Sequence, residues 1–492
     1  MPADRVPRLA SVPRKQKNQH KPVPPEEDLK PVIEYYWHLG LNDKKVAEHA
    51  LDHFDCTKFG LSNTTMKRLR RKWGFASTRQ QRNTFETIAP FVQEIRSRFP
   101  TMGARSMVSA LRQDYGLRVP ERLLQDFLKL SEPEAVEARK RYKFIRRTYY
   151  TAGVNDVLVF DQHDKWKKYG LFLHAGLDPF PGRGWWLKIW WTNRNPKLIV
   201  SYYLEAARRI GGITLTTQSD RGKENNGIAN CHTCIRHELD PSLAGTLQHK
   251  WKYNTHNIKS EAFWSQLRRQ WVPGFEEILD HGVNEGFYDI NEPVERLLFR
   301  WLAIPWLQAE LDSFLARYNS TPRRADRRKI LPSAIPDLVC AKPHLYGTRD
   351  FKVIVPSEVF DRAEERWAPP DDPVFHLVPP SFQSRVQDVY SSLGNPRVSS
   401  VTFWTIYNEV LHMLRQLPED PALAPDLTVE ASAFEVEVPI LPGLQNLRNG
   451  DAVVGDGAQS DVTDDEAEVE DSLVLDADVL GVDLRLYADF SD

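Results

Sequence analysis

The chain has 492 residues, 41% of them hydrophobic and 11% aromatic, which is too long for one core and rich enough in Trp (14) and Phe (23) to fill about two to four domains. Its formal charge of −2 hides a division: residues 451–492 hold 14 acids and one base, Arg485, so residues 1–450 carry 64 bases against 53 acids, a net of +11. That balance favours a polyanionic partner. Four cysteines exclude a disulfide scaffold, and no apolar run reaches a membrane-spanning length or forms a signal core, so a protein of a reducing, intracellular compartment is expected.

Residues 1–26, rich in Pro, Lys and Arg, read as a disordered basic arm. Residues 27–80 read as a helix-turn-helix domain. One helix runs from Leu29 to Leu39 and stops at Gly40; a second is capped by Asn42 and carries Val46, Ala47, Ala50 and Leu51 on one face; a third is capped by Ser62 and stops at Gly74. Five of the six residues Lys67–Lys72 are basic, which assigns Lys67, Arg68, Arg70 and Arg71 to DNA in a major groove. The competing reading is a solvated face of a small bundle. Residues 81–150 read as a second helical DNA-binding unit, with helices at Phe85–Phe99 and Ser106–Tyr115. It ends in a linker with six bases among the nine residues Arg139–Arg147, suited to tracking phosphates by charge.

Residues 151–340 have a regular order. An apolar run, Val157–Phe160, reads as a buried strand delivering Asp161. Strands at Leu171–Leu177 and Trp185–Trp191 follow. A helix is then capped by Asn195, has Pro196 at its first position and ends at Gly211-Gly212. A fourth strand, Ile213–Ser219, delivers Asp220 into the turn Asp220–Asn225, and an amphipathic helix covers Ile228–Leu239. Three meandering strands, then helix, strand and helix, make an α/β, ribonuclease H-like core with a mixed five-stranded sheet and flanking helices. Residues 341–440 form an accessory C-terminal region with a helix at Phe403–Leu417, and residues 441–492 a disordered acidic tail.

Three carboxylates gain meaning from this order: Asp161 and Asp220 at strand ends, and Glu261 on a helix beginning near Asn257. Hard divalent cations take oxygen ligands, and a two-metal site clamps the attacking and leaving oxygens of a phosphodiester. Asp161 and Asp220 otherwise read as strand-end caps, and Glu261 as a solvated helical Glu. Asp164 and Asp178 read as turn residues able to stand in as ligands. Cys231-x-x-Cys234 and the His49/His53 pair are too incomplete for zinc, and none is assigned. The Trp-dense strand at 185–191 reads as an edge strand packed on helices.

Several blocks together resemble retroviral-type integrases and DDE transposases, most closely the integrase-core proteins of mushroom-forming fungi. Phe160–Trp166 with His174–Asp178 resembles the family's first two strands; Asp220–Asn225 resembles its D-x-G-x-E-N, and Asn257–Arg268 its N-x-x-x-E-x-x-W-x-x-L-R helix. Gln162, Pro179–Arg183 and Lys223 depart from that pattern. The resemblance implies that Asp161, Asp220 and Glu261 bind two Mg²⁺ (or Mn²⁺) ions for DNA strand cleavage and strand transfer. It also implies supporting roles for Glu224 and Asn225. Asn257, Glu261, Ser265 and Arg268 recur on one helical stripe, which gives Asn257 and Arg268 DNA-facing roles. A nuclear homo-multimer assembled on DNA is expected. The alternatives are a host-adopted, catalytically silent DNA-binding protein and a hydrolase of RNA–DNA hybrids.

Overall fold

The structure is a computed structural model that describes residues 21–140, 150–252, 258–323, 330–418 and 434–447, together with Leu427. Contacts divide the chain after Arg82 into two units. In the first, α1 (Glu26–His38), α2 (Asp43–Leu51), α3 (Asn63–Lys72) and the short α4 (Thr78–Gln81) bury Leu29, Ile33, Tyr36, Val46, Ala50, Met66 and Leu69. The caps are as the sequence suggests. Asn42 Oδ1 accepts the Lys45 N–H at 3.0 Å and Ser62 Oγ accepts the Thr65 N–H at 3.0 Å, each satisfying an otherwise orphaned donor of a first turn.

The second unit begins with α5 (Phe85–Arg98), α6 (Ala104–Tyr115), α7 (Glu121–Ser131) and α8 (Pro133–Lys140). Then come β1 (Val157–His163), β2 (Phe172–Asp178), β3 (Arg183–Trp190), α9 (Pro196–Ile210), β4 (Gly212–Ile213), β5 (Thr216–Ser219), α10 (Asn226–Leu239), β6 (Thr246–Leu247) and β7 (His249–Trp251). The helices α11 (Ile258–Gln270), α12 (Val272–Asn284), α13 (Pro293–Ser320) and α14 (Pro336–Ala341) follow. The described chain closes with β8 (Val353–Ile354), α15 (Ser357–Trp367), α16 (Pro380–Ser392), α17 (Phe403–Gln416) and β9 (Gln445–Asn446).

One five-stranded sheet has the order β3-β2-β1-β5-β7. β1, β2 and β3 pair antiparallel because short connections join them; α9 and α10 are crossovers, so β1, β5 and β7 run parallel. Helices cover both faces, which is why β1 opens with four consecutive buried residues rather than an alternating pattern. This is the mixed, ribonuclease H-like α/β sheet expected. The Trp-rich β3 is an edge strand with Trp185 and Trp186 buried, and Trp186 lies so close over Gly176 that a Cβ there would meet its ring at 2.4 Å.

One segment differs from expectation. Ile213–Ser219 is not a continuous strand: Gly212–Ile213 pairs with β8, and only Thr216–Ser219 joins the main sheet. Between them Thr214 Oγ1 donates to Thr216 O at 2.8 Å, a side-chain bond that bends the chain from one sheet to the other. A single apolar cluster runs from α5–α7 through the sheet to α15–α17, with Phe99 against Phe275 and Phe299 against Trp404. The helices on both sides of the sheet in sequence therefore share its core.

Candidate active site

Register brings the first two carboxylates side by side. β1 and β5 pair Val157 with Thr216, Leu158 with Thr217 and Val159 with Gln218. The same step, continued two residues past the last pair, sets Asp161 opposite Asp220. Parallel neighbours lie ~4.8 Å apart, so both carboxylates emerge together at the carboxyl ends of adjacent strands. Glu261 lies in the first turn of α11, which buries Phe263 and Leu267 and keeps Glu261 and Arg268 exposed. Trp264, one turn after Glu261, donates its Nε1–H to Asp161 Oδ2 at 3.0 Å and stacks on His163 at 4.8 Å with an interplanar angle of 13°. α11 is thereby fastened to the end of β1.

The electrostatics follow from that crowding. Burial pushes the Asp161 carboxyl up to about 8, and the charges of Asp220 and then Glu261 add to the rise, against the Trp264 N–H. Burial also raises Asp220, opposed by the Gly222 amide and by Asn225, whose Nδ2 donates to Asp220 Oδ1 at 2.7 Å. Glu224 is raised to about 7, chiefly by burial, with further contributions from Asp220 and Asp164. His163 is pushed down to about 4 by burial, then by the positive charges of Lys165, two residues on, and Arg268, one turn beyond the Trp264 that stacks on it.

Among the described residues, no group of three or more His, Cys, Asp or Glu is drawn close enough to hold a metal ion. Mutually repelling carboxylates do not gather to chelating distance unaided. The donor chemistry nevertheless fits a hard divalent cation. All three carboxylates supply oxygen, Asp161 is held in a field of like charge, and the buried Glu224 Oε1 and Asn225 Oδ1 accept no hydrogen bond.

The remaining expected residues fall as follows. Lys67, Arg68 and Arg71 are exposed on α3. Arg70 is not, and its assignment to DNA is corrected. It is 3% exposed; its Nε lies 2.9 Å from Asp43 Oδ1, its Nη1 donates to Gln80 Oε1 at 2.8 Å and to Phe75 O, and its guanidinium stacks on Trp37. The pattern was present in sequence: Met66, Leu69 and Arg70 stand at i, i+3 and i+4, one inward face. Ser265, expected on the polar stripe of α11, is buried at 7% exposure. Asn257 lies outside the described residues, as do the basic residues 141–149 of the linker, residues 1–20 of the arm and residues 448–492; residues 441–447, expected to open the disordered tail, are instead described and carry β9, paired with β6.

Asp178 is wholly buried, accepts the amides of Asn155 (2.7 Å) and Phe180 (3.1 Å), and sits three residues beyond Ala175, the β2 residue paired with Asp161; it is a turn residue. Asp164 Oδ1 accepts from Asn193 Nδ2 at 2.6 Å. Cys231 is buried in α10, and His232 and His249 bond Tyr203 and Thr217 in the interior. In the sequence Trp264 stands within the Asn257–Arg268 block, with no role of its own assigned. Its position three residues after Glu261, on the next turn of the same helix, was the available signal that it faces the same site.

No curated protein matches the chain. Residues 148–335 match a family model described as an integrase core domain, which supports an integrase-type family for the part of the chain that carries the three carboxylates.

Proposed function

We propose that the chain is a DDE polynucleotidyl transferase that cleaves DNA strands and joins them, with Asp161, Asp220 and Glu261 as the ligands of two Mg²⁺ or Mn²⁺ ions. The observation that carries this reading is the common register of Asp161 and Asp220 on parallel strands, electrostatically coupled to Glu261, inside a segment similar to an integrase core. When bound, divalent cations activate the attacking oxygen and stabilise the departing one.

The protein's own groups set the rest. Trp264 fixes one oxygen of Asp161 and so orients the carboxylate that would hold a cation. Asn225, with the Gly222 amide, would orient Asp220 in the same way. Lys165 and Arg268 hold a phosphate beside the carboxylates, and Lys67, Arg68 and Arg71 carry DNA on α3. The protein acts in the nucleus, as a homo-multimer that brings two DNA ends together.

Nicking and strand transfer with Mn²⁺, measured for the native chain beside Asp220→Asn, test the reading. Activity in the former and loss in the latter support it; equal signal from both, or none from either, sinks it. Binding without either reaction would favour a silent, host-adopted DNA-binding protein, and cleavage confined to RNA–DNA hybrids a hydrolase.

A further inference from the structure

A segment near the described C-terminal end, Phe434–Leu441, runs along the candidate site's edge. Three asparagine side chains grip its backbone: Asn195 Nδ2 donates to Phe434 O at 2.6 Å, Asn226 Nδ2 to Val438 O at 2.9 Å and Asn230 Nδ2 to Pro439 O at 2.9 Å. Asn230 Oδ1 in turn accepts the Leu441 amide at 3.1 Å. Phe434 packs edge-on against Trp191 with ring centroids 5.0 Å apart, and Gln445 donates to Gly245 O at 2.8 Å where β9 joins β6. The backbone is thus held, while two acidic side chains do something else.

Glu435 pairs with Arg194 at 3.3 Å and Glu437 with Lys223 at 2.8 Å. Both cations flank the carboxylate cluster. Arg194 acts electrostatically on Glu224 and lies between Asn193, which binds Asp164, and Asn195; Lys223 lies in the turn between Asp220 and Asn225. All four side chains are roughly half or more exposed, so the ion pairs add little to folding and exchange readily for another anion. Glu435 and Glu437, two residues apart in the chain, present two negative charges to two site-edge cations, as successive phosphates would.

We infer that Arg194 and Lys223 are phosphate-binding residues of the DNA site, and that Phe434–Leu441 is an acidic strap that occupies them until DNA displaces it. The inference rests on the proposed DNA chemistry of the same site. The test uses the full chain, a fluorescently labelled mixed-sequence duplex, and anisotropy titrations at two salt concentrations. Glu435→Gln with Glu437→Gln should bind about three- to tenfold more tightly, the scale of freeing two exposed ion pairs. Arg194→Gln with Lys223→Gln should bind more weakly, with a shallower dependence on salt. Hydrogen exchange at the Leu441 amide of the native chain should speed up when duplex is added. Native-like affinity in either double variant, or a Leu441 amide still protected on DNA, overturns the strap while leaving the DNA reading intact. No DNA binding by any of the three proteins removes both.

Discussion

Replacing Asp161 by Asn takes one negative charge out of a crowd of carboxylates while keeping the side chain's size and an oxygen able to accept the Trp264 N–H, 3.0 Å away in the native site. With divalent cations chelated by EDTA, the electrostatic consequence has a definite sign. The Asp161 carboxyl rises from an ordinary 3.8 to about 8, so the folded protein binds that proton more tightly than the unfolded chain does. Its stabilising contribution is complete below pH 3.8 and is lost as pH climbs toward 8, because the unfolded chain ionises freely and the folded one cannot. Asn mimics the protonated form at every pH. The nominal cost reaches ~6 kcal/mol over that interval at ~1.4 kcal/mol per pH unit. Part of Asp161 touches solvent, and an effective dielectric of ~20 governs such sites, which reduces the expected gain to ~1–3 kcal/mol. Spread over the large second unit, this corresponds to about 1–4 °C in Tm. Scanning calorimetry in EDTA from pH 4 to pH 8 should therefore show Asp161→Asn melting higher than the native chain, by a margin that grows with pH. A margin that is flat or shrinks refutes the electrostatic account. Adding Mg²⁺ at pH 8 should close the gap by stabilising the native chain alone.

Trp264→Phe keeps a ring to stack on His163 but removes the donor to Asp161; Mn²⁺-dependent nicking should fall about tenfold with Tm nearly unchanged, and undiminished nicking would show that the carboxylate needs no such support. Asn225→Ala frees Asp220 Oδ1 and leaves a cavity in a buried turn, for a loss of ~1–2 kcal/mol in denaturant unfolding together with weaker Mn²⁺ binding by calorimetry; retention of both would assign Asn225 no role. Arg70→Met strands the Asp43 carboxylate against the interior of the first unit and should destabilise it by ~3 kcal/mol, whereas joint loss of charge at Lys67, Arg68 and Arg71 should leave its unfolding midpoint in place and lower the salt slope of DNA binding by up to ~0.9 per residue. The reverse pattern, a stable Arg70→Met and an unfolded surface triple variant, would contradict the burial assigned to each.

Much of the sheet was legible because its signals are local. The apolar run before Asp161 marks a strand covered on both faces, Pro196 at the first position of α9 and Gly211 in its left-handed C-cap bound that helix, and the strand–helix order then dictates which strands run parallel. Once β1 and β5 are parallel neighbours, the placement of Asp161 beside Asp220 is nearly forced. What local pattern does not encode is the destination of a polar side chain. Arg70 and Arg71 are adjacent bases on one helix, yet one meets Asp43 in the interior and the other faces water; helical spacing with Met66 and Leu69 puts Arg70 on the inward face, but that Asp43 on α2 waits there to pair with it is a tertiary fact. Asn225 and Asn226 make the point more sharply. They are consecutive, identical residues at the start of α10; the first bonds Asp220, five residues back, and the second bonds Val438, 212 residues on. The first belongs to a short turn that the sequence displays entire. The second has a use only because the chain returns, far later, to lay an acidic segment along the edge of the same site, and that return turns Asn195, Asn226 and Asn230 into a track for the strap inferred to compete with DNA.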